Sequence, residues 1–353
     1  MVLDNLFLFL FFFCSIFIYY LLINKKNILF LKRIYDNDFL KPQSFHLSSV
    51  PRFGGFVIIL LSFFYLFFFQ KLNFFSYSII LLGLLYFILG FFSDIKINIK
   101  PEIRLLFMFF FGFLIIYLSN IQVSDVQLEF LNNLIKSNKI FSSLFVCLCL
   151  VFIINGCNFI DGFNGLLIGQ YLIILSILYL IIYKISNIDY LVNFIFLSIL
   201  LGFSFLIFNF PFGKIFLGDS GSYFLGTVLS LVIIEINRLN LNISPFFFAC
   251  LLFYIFFEVI FSFFRKILIK KTSPLNPDRQ HLHMLFFKFI NQRTNNFKKS
   301  NYLTGLLINF LYFFSISPVI FFYNSGFFCK IYFIILIFIY LISYFLLNKK
   351  IQF

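Results

Sequence analysis

The segment Asn155-Gly-Cys-Asn-Phe-Ile-Asp-Gly-Phe-Asn-Gly165 separates two long hydrophobic runs, Ile140–Ile154 and Gly165–Tyr183. It contains one carboxylate, three asparagines and three glycines. A carboxylate at a membrane boundary is costly unless it binds something, and glycines let a backbone turn tightly or approach a ligand closely. The two runs predict membrane helices, and the segment between them predicts a polar site at the membrane surface.

The composition is that of an integral membrane protein. Of the 353 residues, 62% are hydrophobic and 11% are charged, whereas soluble domains carry about 25% charged residues. A net charge of +14 would suggest nucleic-acid binding in a soluble protein. Here we expect no nucleic-acid partner, because the basic residues of membrane proteins collect in cytoplasmic loops.

Two further features of the composition concern the cysteines and the N-terminus. The six cysteines lack metal-site spacing and are expected to be small apolar residues, not a disulfide framework. The N-terminal apolar stretch lacks both a preceding basic region and a small-residue cleavage site. This predicts a retained first helix and not a removed signal.

Eleven apolar segments are candidate membrane helices, since a helix needs about 20 residues to cross a bilayer. We therefore predict an all-α integral membrane protein with about eleven transmembrane helices in a single polytopic domain, residues 1–353. The fourth, fifth and eighth segments are short, and we expect polar residues that face the protein interior to extend them. The segments are Leu6–Ile23, Phe53–Phe69, Phe74–Phe92, Ile103–Leu118, Ile140–Ile154, Gly165–Tyr183, Tyr190–Phe208, Gly221–Ile236, Pro245–Phe264, Tyr302–Phe322 and Ile331–Leu347.

Basic residues predict the orientation of these helices. With the N-terminus outside and the C-terminus cytoplasmic, 21 of the 27 Lys and Arg residues fall in inner loops, as the positive-inside rule requires. The longest cytoplasmic loop is then residues 265–301. Every unusual polar motif falls on the same side, so we predict one active site built from cytoplasmic loops. The residues concerned are those of Pro51–Gly55, Asp94, Asp161, Asp219, His281 and His283.

Three aspartates at three predicted membrane boundaries indicate a hard cation. Magnesium prefers one or two carboxylates together with phosphate oxygens and water. A lone aspartate more often caps a helix, but Asp94, Asp161 and Asp219 share one side. In Phe216-Leu-Gly-Asp-Ser-Gly-Ser222, the helix N-terminus that follows suits a phosphate; an ordinary N-cap made by Asp219 or Ser220 is the alternative.

The third polar segment is Ser273-Pro-Leu-Asn-Pro-Asp-Arg-Gln-His-Leu-His283. Arg279 can bind a phosphate bidentately. The His-x-His pair would suit zinc, but the sequence offers no third soft ligand, so we favour phosphate and substrate positioning over zinc or an incidental surface loop. Glu258, inside the ninth apolar segment, is a functional candidate by default; a structural ion pair with a residue such as Arg104 is the alternative.

Taken together and in order, these motifs resemble the polyprenyl-phosphate N-acetylhexosamine-1-phosphate transferases, the WecA and MraY type of glycosyltransferase family 4. The resemblance extends from His46 to Met284, and the Ser-Pro-x-x-Pro-Asp-Arg loop is more similar to the N-acetylglucosamine-1-phosphate branch. The motifs are Pro51-Arg-Phe-Gly-Gly55, Asp94 followed by Arg104, Asn155-x-x-Asn-Phe-Ile-Asp-Gly-x-Asn-Gly165, Gly218-Asp-Ser-Gly-Ser222 and Ser273-Pro-x-x-Pro-Asp-Arg-x-His-Leu-His283.

The resemblance implies an Mg²⁺-dependent phosphotransferase, with Mn²⁺ as an alternative cofactor. Undecaprenyl phosphate in the bilayer would attack the β-phosphorus of a UDP-N-acetylhexosamine such as UDP-N-acetylglucosamine, and UMP would leave. The product would initiate a bacterial surface polysaccharide (O-antigen, capsule or wall polymer) at the inner membrane. Because two polyanions must meet, a cation and basic groups must offset their charge. A homodimer is left open.

The resemblance also assigns roles to residues. Asp219 matches a metal-binding position, and Asp161 matches a position that contacts nucleotide or metal. Asp94, Asp161 and His281 are the expected catalytic residues. The expected substrate-binding residues are Arg52, Asn155, Asn158, Asn164, Arg279 and His283.

Three positions depart from the family pattern. Ser93 stands where the family usually has the first aspartate of a pair, Asn164 where many members have an aspartate, and Met284 where a further histidine is common. The identity of a general base stays open, although a phosphate monoester with a second pKa of about 6 is already largely ionised near neutral pH.

Two other functions fit parts of the sequence. A secondary transporter of an anionic solute would have broken helices with polar residues at the membrane midplane, whereas these motifs lie at one face. A catalytically impaired family member with a binding role is suggested by Ser93 and Asn164.

Overall fold

In the residues that it describes, the computed structural model consists of helices, their connections and one pair of two-residue strands that the sequence did not indicate. It describes residues 2–24, 34–36, 49–97, 99–185, 188–239, 241–273 and 278–351. The elements in chain order are α1 (Val2–Asn24), β1 (Tyr35–Asp36), β2 (Val50–Pro51), α2 (Gly54–Phe68), α3 (Phe74–Asp94), α4 (Pro101–Leu118), α5 (Glu129–Ser137), α6 (Lys139–Ile160), α7 (Leu166–Ile185), α8 (Asp189–Asn209), α9 (Gly218–Arg238), α10 (Pro245–Leu251), α11 (Phe253–Phe264), a π-helical turn (Arg265–Lys270), α12 (Leu282–Thr294), α13 (Phe297–Phe321) and α14 (Gly326–Ile351).

Membrane spans were predicted at eleven segments, and each segment coincides with a helix or a helix pair. Within the described ranges, nine helices are long and apolar enough to cross a membrane, and ten if the bent pair α10–α11 counts as one span. The second segment forms α2, which has 15 residues and falls short of that length. The orientation across the membrane stays a prediction. All six cysteines are free thiols, as the composition predicted.

Polar residues extend the fifth and eighth apolar segments, as expected, whereas the fourth is extended only by Pro101 and Glu102, which are exposed. Helix α6 continues past its apolar run through Asn155 and Asn158, and α9 begins at Gly218 with a polar first turn. Helix α9 is the centre of the bundle and packs against α2, α3, α6 and α7. Two glycines allow the closest approach: a Cβ on Gly55 would lie 2.1 Å from the Cα of Gly221. Small residues of this kind let membrane helices pack at short range.

The ninth predicted span is broken. Helices α10 and α11 meet at an angle of 74°, and the carbonyl of Leu251 at the bend accepts a hydrogen bond from the Tyr312 hydroxyl. Side chains of neighbouring helices often satisfy backbone groups at such breaks. The stretch 265–301, expected as the longest loop, contains the π-helical turn and α12 in its described parts, so much of it is helical.

The two strands position the chain before α2. In the antiparallel pair Tyr35 lies opposite Pro51 and Asp36 opposite Val50. The carbonyl of Pro51 accepts a hydrogen bond of 2.9 Å from the amide of Phe216, which ties this segment to the chain entering α9. His46, included in the predicted site region, lies outside the described residues.

Candidate active site

The predicted polar motifs meet at one end of the helix bundle. The C-terminal ends of α3 and α6 lie beside the N-terminal ends of α4 and α9, as the hydrogen bonds between them show. The prediction that separate motifs share one site is supported for the residues that contact one another there. These are Ser93, Asp94, Arg104, Asn158, Asp219, Ser220 and Ser222.

Asp219 is the centre of this cluster. Its Oδ2 accepts hydrogen bonds from Ser93 Oγ at 2.7 Å and Arg104 Nη1 at 3.1 Å. Its Oδ1 accepts a bond of 3.1 Å from Asn158 Nδ2. About a quarter of the side chain, 24%, is exposed. Each carboxylate oxygen has further lone pairs, so an exposed carboxylate oriented by three donors can still bind a cation.

Asp94 has a different environment, because it caps the N-terminus of α9. It is 2% exposed and accepts from the backbone amides of Asp219 at 2.8 Å and Ser220 at 3.0 Å. The hydroxyl of Ser220 donates to it at 2.6 Å. A carboxylate at this position satisfies orphan amides and interacts favourably with the helix dipole. The alternative of an ordinary N-cap by Asp219 or Ser220 is wrong, since the N-cap residue is Leu217 and the capping side chain comes from α3.

Glycine at position 218 makes this cap sterically feasible. Gly218 has φ +78°, in the region that side chains rarely adopt, and a Cβ there would lie 2.6 Å from Asp94 Oδ2. Gly90, one turn before Asp94, is equally close to α9, because its Cβ would lie 2.5 Å from the amide nitrogen of Ser220. The glycines therefore let α3 and the first turn of α9 touch.

Asp161 ends α6 and faces the same cluster. It is the C-cap residue of that helix, and it lies within electrostatic range of Asp219, Arg52 and Asp94. Desolvation and the negative charge of Asp219 raise the pKa of Asp161 well above its usual range. A cation between these carboxylates would remove that repulsion.

Arg52 supplies positive charge to the cluster from the strand pair. Its Nε donates to Asp36 Oδ2 at 2.9 Å. Burial disfavours the charged guanidinium, but the fields of Asp36, Asp219 and Asp94 outweigh that effect and raise the pKa of Arg52. The predicted substrate-binding residue is thus anchored by one carboxylate and lies within electrostatic range of two others.

The donor set decides which metal fits. Among the described residues, no group of three or more His, Cys, Asp or Glu side chains lies close enough to hold a metal ion by itself, so a zinc site with His281 and His283 is not supported. Magnesium needs only one or two carboxylates when phosphate oxygens and water complete its shell. The partly exposed carboxylate of Asp219 with nearby Asp161 fits that requirement.

A cleft of about 770 Å³ opens beside Asp219 between α4, α6 and α11. One end is polar and is lined by Glu102, Arg104, Asn155, Asn158, Ser262, Lys266 and His281. The amide of Asn155 also donates to the carbonyl of Val151 in its own helix, at 2.8 Å. The rest is apolar and is lined by Leu105, Leu106, Met108, Phe109, Leu148, Val151, Phe152, Val259 and Phe263, among others. Such a cleft suits a ligand with a charged head and a long hydrocarbon tail.

The two predicted histidines have different surroundings. His281 lines the cleft, and its Nδ1 lies 2.9 Å from Glu258 Oε1. The alternative that Glu258 pairs with Arg104 is wrong, since Arg104 pairs with Asp219. His283 is fully buried, with its Nδ1 3.3 Å from the Tyr254 hydroxyl. Desolvation lowers the pKa of His283 to about 3, so this imidazole is neutral at physiological pH.

Two other predicted substrate-binding residues lie away from these contacts. The backbone amide of Asn164 donates to Asn301 Oδ1, and its side chain donates to the carbonyl of Pro211, both at 2.9 Å. Asn164 therefore joins three segments of the chain. Arg279 is exposed and follows residues 274–277, which lie outside the described ranges. Substrate contact by either residue stays a prediction.

Sequence reasoning missed three residues that the geometry brings into the site. Ser93 was noted only as a departure from the family pattern, yet its hydroxyl binds Asp219. Lys266 lines the cleft, and Tyr340 on the last membrane helix donates to Glu258 at 2.7 Å. A lone basic or hydroxyl side chain has no local sequence signature of such contacts, so only the position of Lys266 next to an apolar run gave any signal.

Comparison with known proteins supports the membrane-transferase interpretation. Residues 75–237 match the family described as Glycosyl transferase family 4. The chain is 30% identical over 155 residues to the undecaprenyl-phosphate alpha-N-acetylglucosaminyl 1-phosphate transferase of Thermotoga maritima, a match that covers 42% of this chain and 44% of that protein.

Two longer matches carry another name. The chain is 30% identical over 239 residues to the phospho-N-acetylmuramoyl-pentapeptide-transferase of Dictyoglomus turgidum, covering 66% of this chain and 75% of that protein. It is 28% identical over 242 residues to the protein of that name from Borreliella afzelii, covering 60% and 69%. The chain thus spans less than half of the Thermotoga protein and about three quarters of the Dictyoglomus protein. It belongs to glycosyl transferase family 4, the polyprenyl-phosphate hexosamine-1-phosphate transferases of bacterial membranes.

Proposed function

We propose that this protein transfers an N-acetylhexosamine 1-phosphate from a UDP-sugar to undecaprenyl phosphate. The observation that carries the proposal is Arg104, which lines the apolar cleft and also donates to Asp219. A lipid tail along the apolar wall would place its phosphate at the polar end, beside the carboxylate that would hold the cation of the nucleotide. One site would thus serve a membrane-embedded and a water-soluble substrate.

The bonds made and broken follow from the two substrates. An oxygen of the lipid phosphate bonds to the β-phosphorus of the UDP-sugar, and the bond from that phosphorus to the oxygen bridging to UMP breaks. UMP leaves as an anion, and the lipid-diphosphate-sugar stays in the membrane. The attacking phosphate is already largely dianionic near neutral pH, so the reaction needs no base to create the nucleophile.

The residues of the site would bind, orient and offset charge. Asp219 and Asp161 would hold Mg²⁺, with Mn²⁺ as an alternative, and the ion would neutralise charge on the diphosphate. Arg104 and Arg52 would add positive charge on either side of Asp219. Asn158, which donates to both Asp219 and Ser222, would fix the carboxylate in the orientation that the ion requires.

We propose that His281, on the wall of the cleft, contacts an oxygen of the phosphate or of the sugar. Asp94, expected as a catalytic residue, has its oxygens committed to the amides of α9. We therefore assign Asp94 the task of holding the first turn of α9, and with it Asp219, in place.

Ser93 favours an active enzyme over an impaired one. A serine here replaces a family aspartate, but its hydroxyl donates to Asp219 at 2.7 Å and leaves no gap in the cluster. An aspartate at position 93 would place a second negative charge against Asp219. We therefore expect Ser93→Asp to bring no gain in rate; a large gain would identify the natural site as crippled.

For the sugar, we propose N-acetylglucosamine, with the reaction at the cytoplasmic face of the inner membrane at the start of a surface polysaccharide. The Ser273–His283 segment and the name of the Thermotoga relative support this choice. The basic residues of the predicted inner loops support the cytoplasmic face.

The activity test is a membrane assay. Protein in lipid nanodiscs receives undecaprenyl phosphate, Mg²⁺ and labelled UDP-N-acetylglucosamine, and a chloroform-soluble labelled product is expected. A chelator should abolish the product and added Mg²⁺ should restore it. UDP-N-acetylmuramoyl-pentapeptide, tested in parallel, should give none. Absence of lipid product with every UDP-N-acetylhexosamine would refute the proposal.

The cleft has a test of its own. Leu105→Trp would fill part of the apolar wall and should raise the KM for undecaprenyl phosphate about tenfold or more, with little change in the KM for the nucleotide. Leu118→Trp is the matched control, because Leu118 lies on the same helix, outside the cleft, and is 74% exposed. Equal effects of the two substitutions would exclude this cleft as the lipid site.

A further inference from the structure

Three residues outside the family match at 75–237 converge behind the cleft. Glu258 lies on α11, His281 at the start of α12 and Tyr340 on α14. Glu258 Oε1 lies 2.9 Å from His281 Nδ1, and Glu258 Oε2 accepts from the Tyr340 hydroxyl at 2.7 Å. The backbone amide of Leu282 also donates to Oε1, at 3.3 Å. All three side chains are buried, with exposures of 0% for Glu258, 2% for His281 and 4% for Tyr340.

The arrangement determines which imidazole nitrogen carries a proton. A carboxylate oxygen only accepts hydrogen bonds, so a bond between Glu258 and Nδ1 requires a hydrogen on Nδ1. The bond made at one ring nitrogen sets the state and direction of the other. His281 Nε2 therefore takes its direction from Glu258.

The environment of Nε2 leaves it available to a ligand. Nε2 lies 3.5 Å from Asp278 Oδ1, which is longer than the usual hydrogen-bond range of about 2.7–3.2 Å. Asp278 is itself held by Arg265, whose Nη1 lies 2.8 Å from Asp278 Oδ2. Since His281 lines the cleft and its Nδ1 is paired with Glu258, Nε2 is the ring nitrogen left for a ligand to contact.

We propose that Glu258 and Tyr340 are positioning residues that fix the ring of His281 with Nδ1 protonated and Nε2 directed to the cleft. Tyr340 holds the second oxygen of Glu258 and so prevents the carboxylate from turning away. The last membrane helix thereby controls a histidine of the site. The proposal rests on the proposed function for its effect on turnover, but ring orientation can be measured without turnover.

The measurement uses the small number of histidines. The chain has three, His46, His281 and His283, so nanodisc protein labelled with ¹⁵N-histidine gives few signals, and His281→Asn assigns those of His281. In the wild type we expect a His281 Nδ1 signal of the protonated type. Glu258→Gln and Tyr340→Phe should each shift that signal. Turnover should fall roughly tenfold to a hundredfold for Glu258→Gln, the range seen when a residue orienting a functional histidine is changed, with KM values nearly constant.

Tyr332→Phe is the matched control, because Tyr332 lies on the same helix and its hydroxyl donates to the carbonyl of Ser315 at 2.8 Å. It should leave the His281 signals unchanged. Tyr340→Phe should cause little further loss of kcat when added to Glu258→Gln, because it acts through that carboxylate. Should Glu258→Gln not fold, Tyr340→Phe alone carries the comparison.

Two outcomes distinguish the positioning of His281 from the proposed transferase activity. If Tyr340→Phe lowers thermal stability as Tyr332→Phe does, but leaves the His281 signals and kcat at wild-type values, the residue only packs α14 and the proposal is overturned. If no UDP-sugar is transferred by the wild type while the His281 signals still respond to Glu258 and Tyr340, ring positioning stands and the proposed function fails.

Discussion

Asp94→Asn separates a positioning role from a catalytic one. The substitution keeps the size of the side chain but replaces one acceptor oxygen with a donor amide. Asp94 now accepts three hydrogen bonds, from the amides of Asp219 and Ser220 and from the Ser220 hydroxyl. The serine hydroxyl can rotate to accept instead of donate, but the backbone amides cannot. At least one buried N–H at the start of α9 therefore loses its acceptor.

The expected loss of folding stability follows from the unpaired N–H and from the lost charge. A buried donor without a partner costs about 1–3 kcal/mol, and loss of a negative charge at a helix N-terminus costs roughly 0.3–2 kcal/mol. Together the two terms predict that Asp94→Asn destabilises the protein by about 1–5 kcal/mol. The displaced first turn of α9 should also reduce turnover, because it carries Asp219.

The assay is thermal unfolding in nanodiscs with a thiol-reactive fluorophore, beside the transfer assay. Four buried cysteines, Cys147, Cys157, Cys250 and Cys329, report unfolding. Asp219→Asn is the matched control: its side chain is partly exposed, and loss of its charge in the first turn of α9 should cost roughly 0.3–2 kcal/mol, while turnover is abolished. If Asp94→Asn unfolds at the wild-type temperature yet has lost turnover, Asp94 acts in catalysis and our assignment is wrong.

Three further predictions follow from single residues. Asp161→Asn should abolish turnover and leave expression intact; near-normal rates would remove Asp161 from the site. Gly55→Ala should lower the unfolding temperature strongly, because its Cβ would lie 2.1 Å from a backbone atom of α9, while Gly162→Ala, which meets nothing within 4 Å, should not. The wild type should lose stability as pH falls from about 6.5 toward 3, because the unfolded state then binds a proton at His283 that the folded state, with its pKa of about 3, does not. His283→Phe should flatten that dependence, and an unchanged pH profile would show that His283 is not its source.

The positions of the membrane helices could be predicted because the length of an apolar run can be read directly from the local sequence. Ten apolar segments each form one helix and the ninth forms a pair, with ends within about six residues of the predicted ones. The 74° break between α10 and α11 could not be predicted. It depends on a hydroxyl from Tyr312, 61 residues away in the chain, which satisfies a carbonyl at the bend.

For the candidate site, too, the sequence predicted one part and left another undetermined. The motifs showed that Asp94, Asp161 and Asp219 belong near one another, since their spacing relative to the apolar runs puts them at helix ends. The sequence did not show which role each of the three aspartates has. Asp94 and the amide that it caps are 125 residues apart, and their pairing depends on how far α3 and α9 slide and rotate against each other.

The sequence by itself determined the class of protein, the approximate ends of its helices and the side chains available for chemistry, because apolar length and residue type are local. Only the tertiary structure decided which donor meets which acceptor. Glu258 pairs with His281 and Tyr340, while Arg104 pairs with Asp219. Membrane helices of similar composition can pack in many rotations, and close contacts such as that of Gly55 with Gly221 select one of them.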